Sequence, residues 1–278
     1  MLKQRVITAL VLLAILLPAL FAPVVWPFAV VTLVMIGAAG WEWARLNGAS
    51  FAAAVGMGGL LCVACVGALW AGWVSAAPRA AWWCATLVWV LGGAWALKGG
   101  AAAWPNLSKP LRWILGLVAL WMAWLALANA RSAGVNFILS VFCLVWAADI
   151  AAYFGGKAFG KRKLAPAISP GKSWEGVWSG MAGVLALAAL WISLDRSLAV
   201  DSKSLYTLLR ERHGTFGLVL MLVFLAAMSV VGDLMESLVK RSAGVKDSSG
   251  LLPGHGGVLD RVDALLPVFP LALAMTSV

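Results

Sequence analysis

The sequence predicts an all-α polytopic integral membrane protein, and three observations carry that expectation. Apolar residues make up 63% of the 278 and charged residues 12%, with a mean hydropathy of +0.95; a soluble domain has about 25% charged and 45–50% apolar residues. The apolar residues gather into runs of the length that crosses a hydrocarbon core of about 30 Å, which takes roughly 20 helical residues. Lysine and arginine divide unevenly between the segments joining those runs.

The runs fall at about 6–22, 28–44, 51–74, 80–97, 112–128, 136–154, 174–194, 215–236 and 264–278. Lys3 and Arg5 precede the first, as in a secretory signal, but further spans follow at once and no A-x-A site appears, so it is read as an uncleaved helix. Pro23 and Pro27 separate the first two runs as a tight turn, because each lacks a backbone donor and resists helix continuation. The last run rises only about 22 Å, and Pro267 and Pro270 interrupt it. The expectation is about nine transmembrane helices, eight full and a short C-terminal one. Residues 1–135 then form an N-terminal group of about five spans. Residues 136–278 form a catalytic region with polar segments at 155–173 and 237–263. The 17 Trp suit two interfacial belts, although many simply face lipid or a neighbouring helix. Cys62, Cys65, Cys84 and Cys143 all lie in apolar runs; the C-x-x-C of the first two has no second pair or His beside it, and that pair reads as small buried hydrophobes.

With the N-terminus inside, 15 of the 21 Lys and Arg fall on inner segments, which the positive-inside rule favours. The same bias accounts for the pI of about 9.9 without a nucleic-acid partner, and none is expected. Segments 155–173 and 237–263 are separated by two spans and so share a face, expected to be the cytoplasmic face of the inner (plasma) membrane. Acids sort the same way. Glu42, Asp149, Asp233 and Glu236 lie at inner helix ends, where a carboxylate avoids the roughly 2.5–3.5 kcal/mol of a mid-span placement. They suggest a shared polar cavity opening inward; for Glu42, snorkelling to the interface is the competing reading.

The chemistry concentrates in two places. If the eighth span continues as a helix, Asp233, Glu236, Ser237 and Lys240 stand at i, i+3, i+4 and i+7 and form one polar stripe. The following D-S-S-G-L-L-P-G-H-G-G-V-L-D-R-V-D, from Asp247, places Gly254, Gly256 and Gly257 around His255, a backbone able to approach a ligand and aim N–H groups at it. Asp260 and Asp263, three apart, share one side of a helical turn. Oxygen ligands of this kind suit Mg²⁺, which takes one or two carboxylates with waters and substrate phosphates. Carboxylates mixed with Lys, Arg and Gly describe a site for a metal–polyphosphate. In the other segment, Gly171-Lys172-Ser173 is no Walker A motif, since Pro166 stands where its first glycine is required and no strand is expected before it. It reads as a cationic loop entering a helix N-terminus, where orphan N–H groups favour phosphate. A topological cluster binding anionic headgroups is the alternative.

The run S-L-V-K-R-S-A-G-V-K-D-S-S-G-L-L-P-G-H-G-G-V-L-D-R-V-D, Ser237 to Asp263, resembles the signature of the phosphatidate cytidylyltransferases (CDP-diacylglycerol synthases). The segment from Asp149 to Gly176 is similar to the bacterial members. The resemblance covers about 149–263; the first five spans match only in hydropathy and in the early W-E-W. It implies a Mg²⁺-dependent nucleotidyltransferase of phospholipid biosynthesis, in which phosphatidic acid of the inner leaflet attacks the α-phosphorus of CTP and pyrophosphate leaves. Carried over residue by residue, Asp233 and Asp260 match the metal-binding carboxylates, with a second cation left open. Asp263 supports that site, and Lys246 and Asp247 line it. Lys240, Arg241 and the His255-Gly256-Gly257 turn contact phosphates, as Lys172 and Ser173 do from the facing segment; Ser237 and Arg261 complete the substrate-binding set. A homodimer is implied by the family alone. His255 could act as a base, a phosphate donor or a turn residue, and the donor role is preferred.

Other readings fit less well. A transporter places charges on broken helices at the midplane with repeat symmetry, and these charges lie at one interface without a repeat. The D-G-x-x-A-R motif of CDP-alcohol phosphotransferases and the adjacent aspartates of prenyl-phosphate sugar transferases are both missing. An ether-lipid or isoprenoid acceptor within the same superfamily remains an alternative. Segment 195–214 reads as an amphipathic outer connector, with His213 solvated.

Overall fold

The structure, a computed structural model, describes residues 2–277; the side chains of Lys3 and Arg5 lie outside what it describes. Every expected apolar run is helical. In chain order the helices are α1 (Leu2–Phe21), α2 (Trp26–Leu46), α3 (Phe51–Trp70), α4 (Arg79–Leu87), α5 (Gly93–Ala103), α6 (Lys109–Ala133), α7 (Val135–Phe159), α8 (Trp174–Ser197), α9 (Leu205–Ser242), α10 (Leu259–Val262) and α11 (Leu265–Thr276). A π-helical stretch at Val88–Gly92 joins α4 to α5, so that Arg79–Asn106 forms one apolar segment, kinked at Gly100 (φ 69°). Among the described residues, seven helical segments are long and apolar enough to cross a membrane, namely α2, α3, this segment, and α6 to α9.

The other two runs differ from them. In α1 the apolar stretch is the shorter Val6–Phe21. Helix α11 has 12 residues, a rise of about 18 Å. It accommodates both prolines and is buried along most of its length, from Leu266 to Ala272. It is a short central helix packed against α4, α6 and α9.

Two expectations are corrected. Segment 155–173 is not a loop: α7 continues to Phe159, and an antiparallel hairpin follows, β1 (Lys163–Ala165) with β2 (Ser169–Ser173). The helical period of the apolar run gave no hint of it, because a three-residue strand paired across a Pro-containing turn leaves too short a pattern to read. Segment 195–214 is the amphipathic connector expected, with Leu205, Tyr206 and Leu209 buried, but His213 is not solvated. Helix α9 begins at Leu205, capped by the Ser204 hydroxyl accepting from Thr207 N, and bends at Gly214 (φ 68°). His213 is half-buried with Nε2 3.3 Å from Met275 O, so it joins α9 to the end of α11.

The helix ends away from the hairpin are tied by polar side chains. Asp195 accepts from Ser204 N and Oγ, Thr207 Oγ1 and Asn136 Nδ2. Asp201 receives the N–H groups of Val135 and Asn136, capping the first turn of α7. Buried Arg131 donates to Leu20 O and Ala22 O, satisfying carbonyls at the end of α1.

Helices α7 and α8 approach each other closely. A Cβ at Gly176 or Gly180 would stand 2.9 or 2.8 Å from the carbonyl of Ala152 or Ala148, the small-residue contact that lets membrane helices meet backbone to backbone. This pair, with α9 and the hairpin, frames the site.

Candidate active site

The two polar segments meet. Arg241 Nε donates to Ile168 O at the hairpin turn, at 3.3 Å. Lys172 Nζ on β2 lies 2.7 Å from Asp233 Oδ2 on α9. Their common face is therefore established by contact as well as by counting spans.

Between α7, α8, α9 and β2 lies a cavity of about 490 Å³. Its lining mixes polar Asp149, Lys157, Lys172, Ser173 and Asp233 with apolar Val177, Met181, Ala226 and Val230. Asp233 and Lys172 are partly open to it, with side chains 32% and 23% exposed. Asp149 interacts electrostatically with both. Ser173 is buried, and its hydroxyl accepts from Gly176 N as the cap of α8. A helix N-terminus thus opens onto a cationic wall, which suits phosphate.

The stripe expected on α9 is present. Ser237 Oγ donates to Asp233 Oδ1 at 3.3 Å, and Lys240 pairs with Glu236 one turn away. Lys240 Nζ also reaches Asp260 Oδ1 at 2.6 Å. The other oxygen of Asp260 accepts from Ser248 N, Ser248 Oγ and Gly257 N, at 2.8–2.9 Å. Burial works against the Asp260 charge, but contacts with Glu236 and Lys240 and the Gly257 and Ser248 N–H groups outweigh it and hold the group below the usual carboxylate range. Asp263 behaves oppositely: burial first, then the Asp233 carboxylate, push it up to about 7.

The glycines explain how the chain closes around Asp260. Gly256 has φ +81°, and a Cβ there would come within 2.6 Å of Asp260 Oδ2. At Gly257 a Cβ would meet Ser248 Oγ at 2.1 Å and Glu42 Oε1 at 2.3 Å. Both positions need glycine because carboxylates press against the backbone.

The remaining candidate residues are placed as follows. Arg241 spends its guanidinium on Ile168 O and Val245 O. Arg261 holds His255 O through Nε and Nη2, while the half-buried His255 ring keeps Nδ1 without a partner among the described residues. Lys246 and Asp247 are exposed.

The donor set bears on a metal. Among the described residues no group of three or more His, Cys, Asp or Glu is placed to hold an ion. The cavity offers carboxylate oxygens from Asp149 and Asp233 and no cysteine or imidazole, which fits Mg²⁺ completing its shell with water and substrate phosphate.

The whole chain, residues 3–278, matches the cytidylyltransferase family. The chain belongs to that family. It is 41% identical over 296 residues to a phosphatidate cytidylyltransferase of Pseudomonas aeruginosa, covering 99% of this chain and 97% of that one. It is 53% identical over 137 residues to a phosphatidate cytidylyltransferase of Haemophilus influenzae, covering 49% and 44%. To phosphatidate cytidylyltransferase 5, chloroplastic, of Arabidopsis thaliana it is 40% identical over 181 residues, covering 65% and 37%.

Two residues of the site had no assigned role in the sequence reading. Ser248 is fully buried between two carboxylates; its only signal was its place in the D-S-S-G turn. Glu42 does not join a shared cavity and does not snorkel. It is fully buried on α2 and accepts four hydrogen bonds from residues 248–259. A charged residue inside W-E-W was the available clue.

Proposed function

We propose that this protein is a phosphatidate cytidylyltransferase, converting CTP and phosphatidic acid to CDP-diacylglycerol and pyrophosphate with the α7–α8–α9 cavity as its reaction site. The observation that carries this is the Lys172–Asp233 pair on a cavity that apolar side chains also line, which suits a lipid whose phosphate must meet a nucleotide. A phosphate oxygen of the lipid forms the new bond to the α-phosphorus as the bond to the β-phosphate breaks. The attacking monoester is already anionic, so little base help is needed, and positioning with charge neutralisation supplies the rate.

Lys172 and Lys157 face the polyphosphate in this reading, with the Gly176 end of α8 behind them. Mg²⁺, when bound, neutralises charge on the phosphates, and Asp233 with neighbouring Asp149 would hold it. Asp260, expected to share that task, reaches a metal only if Lys240 gives up Oδ1, since its other oxygen already has three donors. We place the site on the cytoplasmic face of the inner membrane and the protein as a homodimer. In a cysteine-free background, Ala165→Cys should react with impermeant reagent from the inside and Lys203→Cys from the outside. The mass of the detergent-solubilised protein checks the dimer.

The purified full chain, given CTP, phosphatidic acid and Mg²⁺ in detergent, should release CDP-diacylglycerol detectable by mass spectrometry. A folded sample that makes none, or that prefers a polyprenyl phosphate acceptor, refutes the assignment.

A further inference from the structure

The Glu42 carboxylate is 0% exposed and sits on α2, far in sequence from the segments so far assigned to chemistry. Its donors come from both ends of one loop. Ser249 Oγ and Val258 N donate to Oε1 at 2.5 and 2.9 Å. Ser248 Oγ and Leu259 N donate to Oε2 at 3.1 and 2.7 Å. Arg45, one helical turn on, adds a contact from Nη2 to Ser248 O at 3.4 Å. A backbone N–H on each oxygen calls for a carboxylate, since a glutamine would turn its N–H₂ toward one of those N–H groups.

Ser248 links this node to Asp260, because the same hydroxyl lies 2.9 Å from Asp260 Oδ2. A serine hydroxyl has one hydrogen, so the two carboxylates compete for it, and displacement of either is felt by the other. Gly257 leaves no slack, since even a methyl group there would strike Ser248 and Glu42 together.

We propose that Glu42 is a positioning residue: through Ser248 and the Val258 and Leu259 amides it fixes the loop that carries Asp260, making α2 part of the catalytic apparatus. The N-terminal spans then supply the mould against which residues 248–260 set. This extends the function proposed above, on which only the turnover readout depends.

The test compares full-length Glu42→Gln and Glu42→Asp with the unaltered protein. In Glu42→Gln, hydrogen exchange at Val258 and Leu259 should speed up while α3 and α8 keep their protection. Its kcat per folded molecule should fall on the order of 100-fold, with KM for CTP held within about twofold. Glu42→Asp, which keeps the charge but is one methylene short, should recover part of kcat. Should Glu42→Gln fail to fold, Ser248→Ala breaks the same link, and a kcat loss of roughly 10-fold is expected. Unchanged exchange at Val258 and Leu259 overturns the proposal whatever the enzyme makes. Unchanged kcat in Glu42→Gln, or in Ser248→Ala should the former not fold, overturns it too.

Discussion

Two lysine–aspartate pairs near the hairpin have nearly the same length, 2.7 Å for Lys172–Asp233 and 2.6 Å for Lys240–Asp260, and quite different surroundings. The first spans the gap between β2 and α9 and is partly open to a cavity. The second is closed, with the Asp260 side chain 6% exposed and its free oxygen filled by three donors. An open pair can exchange its partner for a ligand at little cost. A closed pair holds the backbone, because breaking it strands a buried charge. On this difference we propose ligand exchange for Asp233 and loop architecture for Asp260, although a sequence places both on an equal footing.

Substitutions can break that distinction. The largest effect is expected for Asp233→Asn: turnover should fall on the order of 1,000-fold, with the thermal midpoint in detergent little changed. A matching loss of stability would show that Asp233, too, is structural. Asp260→Asn should lose turnover less steeply but also lose about 3 kcal/mol of stability, read as a lower thermal midpoint. A stable, inactive Asp260→Asn would return it to the role of a free metal ligand. Lys172→Met is expected to lower kcat/KM for CTP roughly 10-fold, through KM, about 1.4 kcal/mol; an unaffected KM would remove β2 from the nucleotide's surroundings.

The smallest effect belongs to the helix ends away from the hairpin. Partial burial opposes the Asp201 charge, but the Asn136 and Val135 amides outweigh it and hold the carboxyl below its ordinary value. A depressed value means that its contribution to stability is present above the unfolded pKa of about 3.9 and is lost as pH falls through the folded one. Asp201→Asn should therefore lower the thermal midpoint slightly at pH 7, leave turnover alone, and lose its difference from the parent in acid. A turnover defect would mean that the Asp201 cap communicates with the site.

These contrasts also mark what could be read in advance. The helical period of 233–240 was enough to place Asp233, Ser237, Glu236 and Lys240 on one edge, because four residues within two turns depend only on helix geometry. That the segments near 172 and 240 share a face followed from counting two spans between them; the contact of Lys172 with Asp233 did not. The hairpin did not follow, since its strands are too short for a period. Nor did the separation of Asp233 from Asp260: whether a carboxylate is open or saturated depends on donors such as Ser248 and on a glutamate more than 200 residues away, and no local pattern encodes that distance. Helix α11 was read correctly as short, and its burial explains why prolines are tolerated, since neighbouring helices rather than water surround the interrupted backbone.

The central claim, that substrate enters the α7–α8–α9 cavity, is tested most directly by protection at its rim. Ser169 lines the cavity beside Lys172, and in a background with Cys62, Cys65, Cys84 and Cys143 replaced, Ser169→Cys gives a single reporter thiol. Its rate of modification by a water-soluble maleimide should fall severalfold when CTP and Mg²⁺ are added. An unchanged rate in a variant that still turns over would place the nucleotide elsewhere and contradict the account.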